Sequence, residues 1–110
     1  MATLKVLIVD DEPGIRSGIS RILKNFSVDF PFIDEAFTFE SIEVGTGEEA
    51  LDILNSSPID IVLLDNKLPG IHGIEVLEHI NQKQIDTTVM MITSYASLDL
   101  AIKATNNGAY

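Results

Sequence analysis

The stretch IVLLDNKLPG, residues 61–70, places an aspartate directly after a run of four apolar residues. Such a run is typical of a strand buried in a core, and the proline and glycine that follow are turn formers. Two interpretations of Asp65 are open at this point. It is either an ordinary turn residue that ends the strand, or a carboxylate displayed at the carboxyl end of a parallel sheet, where open α/β folds bind their ligands.

Length and composition indicate one small folded domain. The chain has 110 residues, 45% of them hydrophobic, and a formal net charge of −10. This charge opposes direct binding to nucleic acid or to an anionic membrane. The absence of cysteine excludes disulfides, thiolate catalysis and cysteine-ligated metals. The amino-terminal sequence has only a short apolar run before its first acids, so we expect neither a signal peptide nor a membrane span, and we expect a cytoplasmic protein.

Strand and helix patterns alternate along the chain. Four short runs read as strands, and each is followed by a segment with apolar residues at helical spacing. The predicted strands are residues 4–9, 40–44, 59–64 and 87–93; the predicted helices begin near Pro13, at Thr46 as a candidate cap, at Gly73 and at Leu98. A βα unit repeated four times predicts an α/β fold, namely a doubly wound parallel sheet with helices on both faces.

Residues 26–39, FSVDFPFIDEAFTF, interrupt this alternation as an insertion. The segment contains all five phenylalanines of the chain and is long for a connection between a helix and a strand. One interpretation is a lengthened helix end and a lengthened strand that bury the rings locally. The alternative is an exposed aromatic surface for a partner or a second copy. Either way, the predicted topology puts the segment at the end of the sheet away from Asp65.

Polar residues follow three of the predicted strands. Asp10 and Asp11 end the first strand, Asp65 ends the third, and Thr93 ends the fourth. Because the carboxyl ends of parallel strands share one edge of a sheet, we expect these side chains to meet. Three carboxylates in one cleft repel each other unless they share a cation. Oxygen ligands favour a hard ion such as Mg²⁺, beside which an aspartate can serve as a nucleophile toward phosphorus.

Four blocks of the sequence, in order, resemble the receiver domain of two-component response regulators. They are VLIVDDE (6–12), LLDNKLPGIHGIEVL (63–77), VMMITSYAS (89–97) and AIKATNNGA (101–109). The resemblance covers nearly the whole chain apart from the insertion. It implies a flavodoxin-like fold and a phosphoryl-accepting signalling module, not an enzyme.

The resemblance also implies a role for each site residue. The position of Asp65 accepts a phosphoryl group from a histidine kinase or a phosphotransfer protein. Asp10 and Asp11, with Asp65 and the backbone carbonyl of Lys67, are the expected Mg²⁺ ligands. The residue at the position of Thr93 is the expected switch hydroxyl. The expected neighbours of the phosphoryl site are Asn66 and Ser94.

The sequence ends at Tyr110, before the fifth strand, the lysine and the fifth helix that the resemblance implies. We therefore expect a receiver domain over residues 1–110 that is incomplete at its C-terminus and has about four βα units. The uncovered surfaces of such a chain favour self-association. The sequence of the last block resembles that of receivers that are attached to ATPase and DNA-binding output domains. No output domain lies within these residues.

Two other functions compete with phosphoryl acceptance. One is a phosphorylation-independent interaction scaffold, which the missing lysine would favour. The other is a Mg²⁺-dependent phosphohydrolase with an aspartyl nucleophile. That enzyme family usually separates two aspartates by one residue at the end of the first strand, whereas Asp10 and Asp11 are adjacent. The adjacency argues against the hydrolase.

Overall fold

The computed structural model describes residues 2–25, 27–30 and 35–92. The predicted fourth helix, Thr93 and Ser94 lie outside these residues. The described strands are β1 (Ala2–Val9), β2 (Ser27–Phe30), β3 (Glu35–Val44), β4 (Ile61–Leu64) and β5 (Thr88–Met91). The described helices are α1 (Pro13–Lys24), α2 (Gly47–Ser56) and α3 (Gly73–Gln82).

The strands form one sheet in the order β2-β3-β1-β4-β5. The β1 strand is central and pairs in parallel with β3 on one side and with β4 on the other, and β4 pairs in parallel with β5. The position after each parallel strand therefore falls on one edge, as the sequence predicted. The predicted α/β, doubly wound class is confirmed.

One face of the sheet carries the main apolar core. Alternate strand residues such as Leu7, Val62 and Leu64 point to this face, where α2 and α3 contribute Leu54, Leu77 and other apolar side chains. The alternation follows from the two-residue period of a strand. Thr46 caps α2 as predicted, because its hydroxyl oxygen accepts from the Glu49 N–H at 3.1 Å.

The α1 helix covers the opposite face through a contact that is partly polar. Ser20 of α1 lies 2.9 Å, oxygen to oxygen, from Ser41 of β3, and it donates to Glu43 at 3.1 Å. No residue of α1 itself is fully buried. Ile22 is 68% exposed and Ile15 is also exposed, so these two apolar side chains of the helix face outward.

The insertion holds an additional strand that the sequence did not predict. The α1 helix ends at Lys24, and β2 then pairs antiparallel with the start of β3, from Ser27 opposite Thr38 to Phe30 opposite Glu35. Of the first interpretation, the lengthened strand is present, since β3 begins at Glu35 rather than at residue 40. The lengthened helix end is not. Among the described helices, none is long and apolar enough to cross a membrane.

Candidate functional site at the carboxyl edge of the sheet

The ends of three strands are tied together where the acidic residues begin. The Asp65 N–H donates to the carbonyl of Val9 at 2.9 Å, and the Asp10 N–H donates to the carbonyl of Val44 at 3.2 Å. These bonds continue the ladders that flank β1, so the residue after β1 and the residue after β4 emerge side by side. One carboxylate oxygen each from Asp10, Asp11 and Asp65 lies within 4.8 Å of the others. The structure thus brings the three predicted acids together.

The Asp10 side chain is almost completely buried, with 3% of its surface exposed. Its Oδ1 accepts from the Glu12 N–H at 2.9 Å, a local turn that fixes the carboxylate against its own loop. A buried carboxylate normally needs hydrogen bonds or a counter-charge to offset its lost hydration. Asp11 is exposed beside it.

The surroundings of Asp65 oppose its ionisation. Partial burial raises the pKa of this carboxyl, and the negative charges of Asp10 and Asp11 raise the pKa further. The N–H groups of Lys67 and Asn66 act in the opposite direction and lower the pKa, but the net direction is upward. The Lys67 N–H donates to Asp65 Oδ1 at 3.2 Å. A bound cation would offset the repulsion among the three carboxylates.

Asn66, predicted as a neighbour of the site, fixes the loop that follows Asp65. Its side-chain oxygen accepts from the Ile74 N–H at 2.9 Å, and its carbonyl accepts from Leu68 and Gly73, each at 3.0 Å. Asn66 therefore joins the end of β4 to the first turn of α3. The bonds hold Asp65 between a strand end and a helix start.

Glu48 is an acid in the first turn of α2, and its contact with the loop after Asp65 was not predicted. Its Oε1 accepts from the Ile71 N–H at 2.9 Å. Gly70 has φ of +75°, a left-handed conformation that suits glycine, and a Cβ there would lie 2.7 Å from the same oxygen. The contact ties the loop after Asp65 to α2.

Arg16 makes the second contact that the sequence did not predict. From α1 this residue reaches back to the loop that precedes the helix, where its Nη1 donates to the Asp10 carbonyl at 2.6 Å. The spacing of apolar residues in a helix does not predict a hydrogen bond between the helix and the loop that precedes it. Thr93 and Ser94, the remaining predicted side chains, fall in the part of the chain that the structure does not describe.

Comparison with known proteins agrees with this geometry. Residues 6–110 match the family model of the response regulator receiver domain. The chain belongs to that family. It is therefore a receiver domain of two-component signal transduction, a class of signalling modules.

Two curated relatives and one solved structure illustrate the match. Response regulator protein PilR of Pseudomonas aeruginosa is 37% identical over 110 residues, which are 100% of this chain and 22% of PilR. Sporulation initiation phosphotransferase F of Bacillus subtilis is 31% identical over 109 residues, which are 99% of this chain and 79% of that protein. A CheY-like receiver domain from Methanospirillum hungatei superposes with a TM-score of 0.81 at 29% identity, covering 98% of this chain and 78% of that one.

The acidic group fits the cation that receiver domains generally bind, which is Mg²⁺. The three converging donors are all carboxylate oxygens, the ligand type that Mg²⁺ prefers over nitrogen and sulfur. Burial chiefly raises the pKa of Asp65 and repulsion from Asp10 and Asp11 adds to it, and a divalent cation would offset that repulsion.

Proposed function

We propose that this receiver domain accepts a phosphoryl group on Asp65, with Mg²⁺ held by Asp10, Asp11 and Asp65. The observation that carries the proposal is the convergence of the three carboxylates at the edge where β1 and β4 end. The phosphoryl donor in the cell is the phosphohistidine of a histidine kinase or of a phosphotransfer protein. The backbone carbonyl of Lys67 and the hydroxyl of Thr93 complete the site, the first as a metal ligand and the second as a switch donor.

The residues of the chain divide the work of the transfer. The Lys67 N–H donates to Asp65 Oδ1 and helps to orient the carboxylate, whose other oxygen, Oδ2, we assign to the attack on phosphorus. A lone pair of that oxygen forms the new P–O bond, and the P–N bond electrons leave with the imidazole nitrogen of the donor. When bound, Mg²⁺ offsets the charge that develops on the phosphoryl oxygens. Asn66 and the strand ladder keep Asp65 from turning away during the attack.

The test is intact mass after incubation with acetyl phosphate and MgCl₂. We expect one added phosphoryl group that hydroxylamine removes, as it does from an acyl phosphate, and no adduct on Asp65→Asn. Asp52→Asn, a change at an exposed position of α2, is the matched control and should be phosphorylated like the unaltered chain.

Two results would contradict the proposal. A hydroxylamine-sensitive adduct that persists in Asp65→Asn would place the acceptor elsewhere. No adduct on a chain that binds Mg²⁺ would favour the scaffold alternative, in which the fold serves interaction without phosphorylation.

A further inference from the structure

Arg16 lies where α1 meets the loop that carries the acidic residues. It belongs to the second turn of α1, and its side chain is only 19% exposed although most of that helix faces solvent. The guanidinium is charged at every pH at which the protein folds. Its Nη1 donates to the backbone carbonyl of Asp10 at 2.6 Å, a short hydrogen bond from a charged donor.

The other side of the guanidinium is anchored to β3. Arg16 Nε lies 3.7 Å from Glu43 Oε1, and Glu43 Oε2 accepts from Ser20 at 3.1 Å. Arg16 Nε is buried and has no hydrogen-bond partner among the described residues, so the Glu43 contact is an ion pair without a hydrogen bond. The guanidinium also passes close to the chain at Gly45, where a Cβ would lie 3.2 Å from Nη1.

These contacts complete a set that fixes Asp10. Its N–H bonds to Val44, its carbonyl to Arg16 and its Oδ1 to the Glu12 N–H. Within the described part of the chain, Oδ2 is the Asp10 atom left to bind a cation. Of the three bonds, the one from Arg16 is the only one in which a side chain reaches across from another secondary-structure element.

We propose that Arg16 is a positioning residue for the cation site. By holding the Asp10 carbonyl, it sets the direction in which Asp10 and Asp11 leave the end of β1. The inference rests on the proposed function, since it assigns Arg16 to the Mg²⁺ site proposed above. Arg16 does not contact the cation. Its effect passes through the loop backbone, as the effect of an outer-shell partner does at other metal sites.

The experiment is a calorimetric titration of the chain with MgCl₂. We expect Arg16→Met to weaken Mg²⁺ binding about 10- to 100-fold, the cost typical of losing an outer-shell partner. Arg16→Lys keeps the charge and one donor and should recover part of the loss. Arg21→Met removes the same charge from an exposed position in the last turn of α1 and should change the affinity less than about 2-fold, since salt screens exposed charges.

Thr46→Ala controls for a general loss of stability, because it removes the α2 cap without touching the loop. If Thr46→Ala or Arg21→Met weakens binding as much as Arg16→Met, the positioning role is wrong. Unchanged affinity in Arg16→Met would also overturn it. Should Arg16→Met fail to fold, Arg16→Lys decides the matter: weaker binding in a folded protein supports the role, and binding equal to the unaltered chain refutes it.

A second readout separates this inference from the proposed function. Hydrogen exchange of the Glu12 amide can be followed in metal-free protein, because its N–H is bonded to Asp10 Oδ1. We expect faster exchange in Arg16→Met and unchanged exchange in Arg21→Met. If the unaltered chain binds no Mg²⁺, the proposed function fails, whereas equal exchange at Glu12 in Arg16→Met refutes the positioning by Arg16.

Discussion

Gly73 begins α3 directly against the backbone of Asn66. Its N–H donates to the Asn66 carbonyl at 3.0 Å, and a Cβ at Gly73 would lie 2.7 Å from the Asn66 Cα. The atoms that this Cβ would meet belong to the backbone, which cannot move aside as the end of a flexible side chain can. The helix that follows the site is therefore in close contact with the residue after Asp65, and only glycine fits without a shift.

Gly73→Ala should lower the free energy of unfolding by about 1–3 kcal/mol, the usual cost of overpacking. The added methyl group must displace the Asp65–Asn66 backbone or the start of α3. Urea unfolding followed by circular dichroism measures the loss. Gly18→Ala is the matched control in α1, where a Cβ meets nothing within 4 Å. That change should stabilise the chain by about 0.5–1 kcal/mol, and equal effects of the two substitutions would contradict the packing argument.

Glu48→Ala should destabilise the chain more than Glu49→Ala. Both residues lie exposed in the first turn of α2, so each change removes the same favourable charge from a helix N-terminus. Glu48 also accepts from the Ile71 N–H of the distant loop at 2.9 Å, whereas Glu49 accepts a longer bond, 3.3 Å, from the Thr46 hydroxyl of its own turn. We expect a difference of about 1 kcal/mol between the two variants in thermal unfolding, the net value of a typical hydrogen bond. Equal melting temperatures would show that the loop does not depend on Glu48.

Asp65→Asn should stabilise the metal-free chain at neutral pH. The pKa of Asp65 is raised in the folded state, mainly by burial and further by Asp10 and Asp11. The folded protein therefore holds this proton to a higher pH than the unfolded chain does. The contribution of this carboxyl to the free energy of unfolding is fully present below its pKa in the unfolded chain, about 4. The contribution is lost as the pH rises through the pKa of Asp65 in the folded protein.

Urea titrations in EDTA at several pH values test this dependence. The asparagine variant should be more stable than the unaltered chain at pH 7, and the advantage should shrink toward pH 3, where Asp65 is protonated in both states. Asp52→Asn is the control on an exposed helix face. An advantage for Asp65→Asn that stays constant down to pH 3 would exclude charge as its cause.

Excess MgCl₂ should raise the melting temperature of the unaltered chain. Ligand binding to the folded state alone adds about 2.7 kcal/mol when the free ligand is at 100 times its Kd. Asp11→Asn removes one of the three converging carboxylates and should reduce this shift, while Asp52→Asn should keep it. The shift is measured by scanning calorimetry at constant ionic strength. An equal shift in Asp11→Asn would exclude Asp11 as a ligand.

Residue types and their order were sufficient to predict the parallel sheet and the meeting of the acids. The apolar run before Asp10 became β1, the run before Asp65 became β4, and parallel pairing brought both ends to one edge. The predicted cap at Thr46 is confirmed as well. These features depend on local periodicity and on topology, and both can be predicted from a single sequence.

Contacts between distant elements could not be predicted in the same way. The Arg16 bond to the Asp10 carbonyl depends on how α1 lies across β3, and the Glu48 bond depends on the path of the loop at Ile71. No spacing in the sequence encodes either distance. The β2 strand was missed because four residues within a phenylalanine-rich segment show too short a pattern to separate a strand from a local cluster.

The pairing of β1 is uneven, and this has a consequence for local opening of the domain. It pairs with β3 over eight positions but with β4 over four, and β4 pairs with β5 over four. Segments with fewer ladder bonds open at lower free energy, so amide exchange should be slowest in β1 and β3 and faster in β4 and β5. Asp10 follows β1, where amide exchange should be slow, and Asp65 follows β4, where it should be faster. A cation bound by both residues would link the end of β1 to the end of β4, and its binding should slow exchange most in β4.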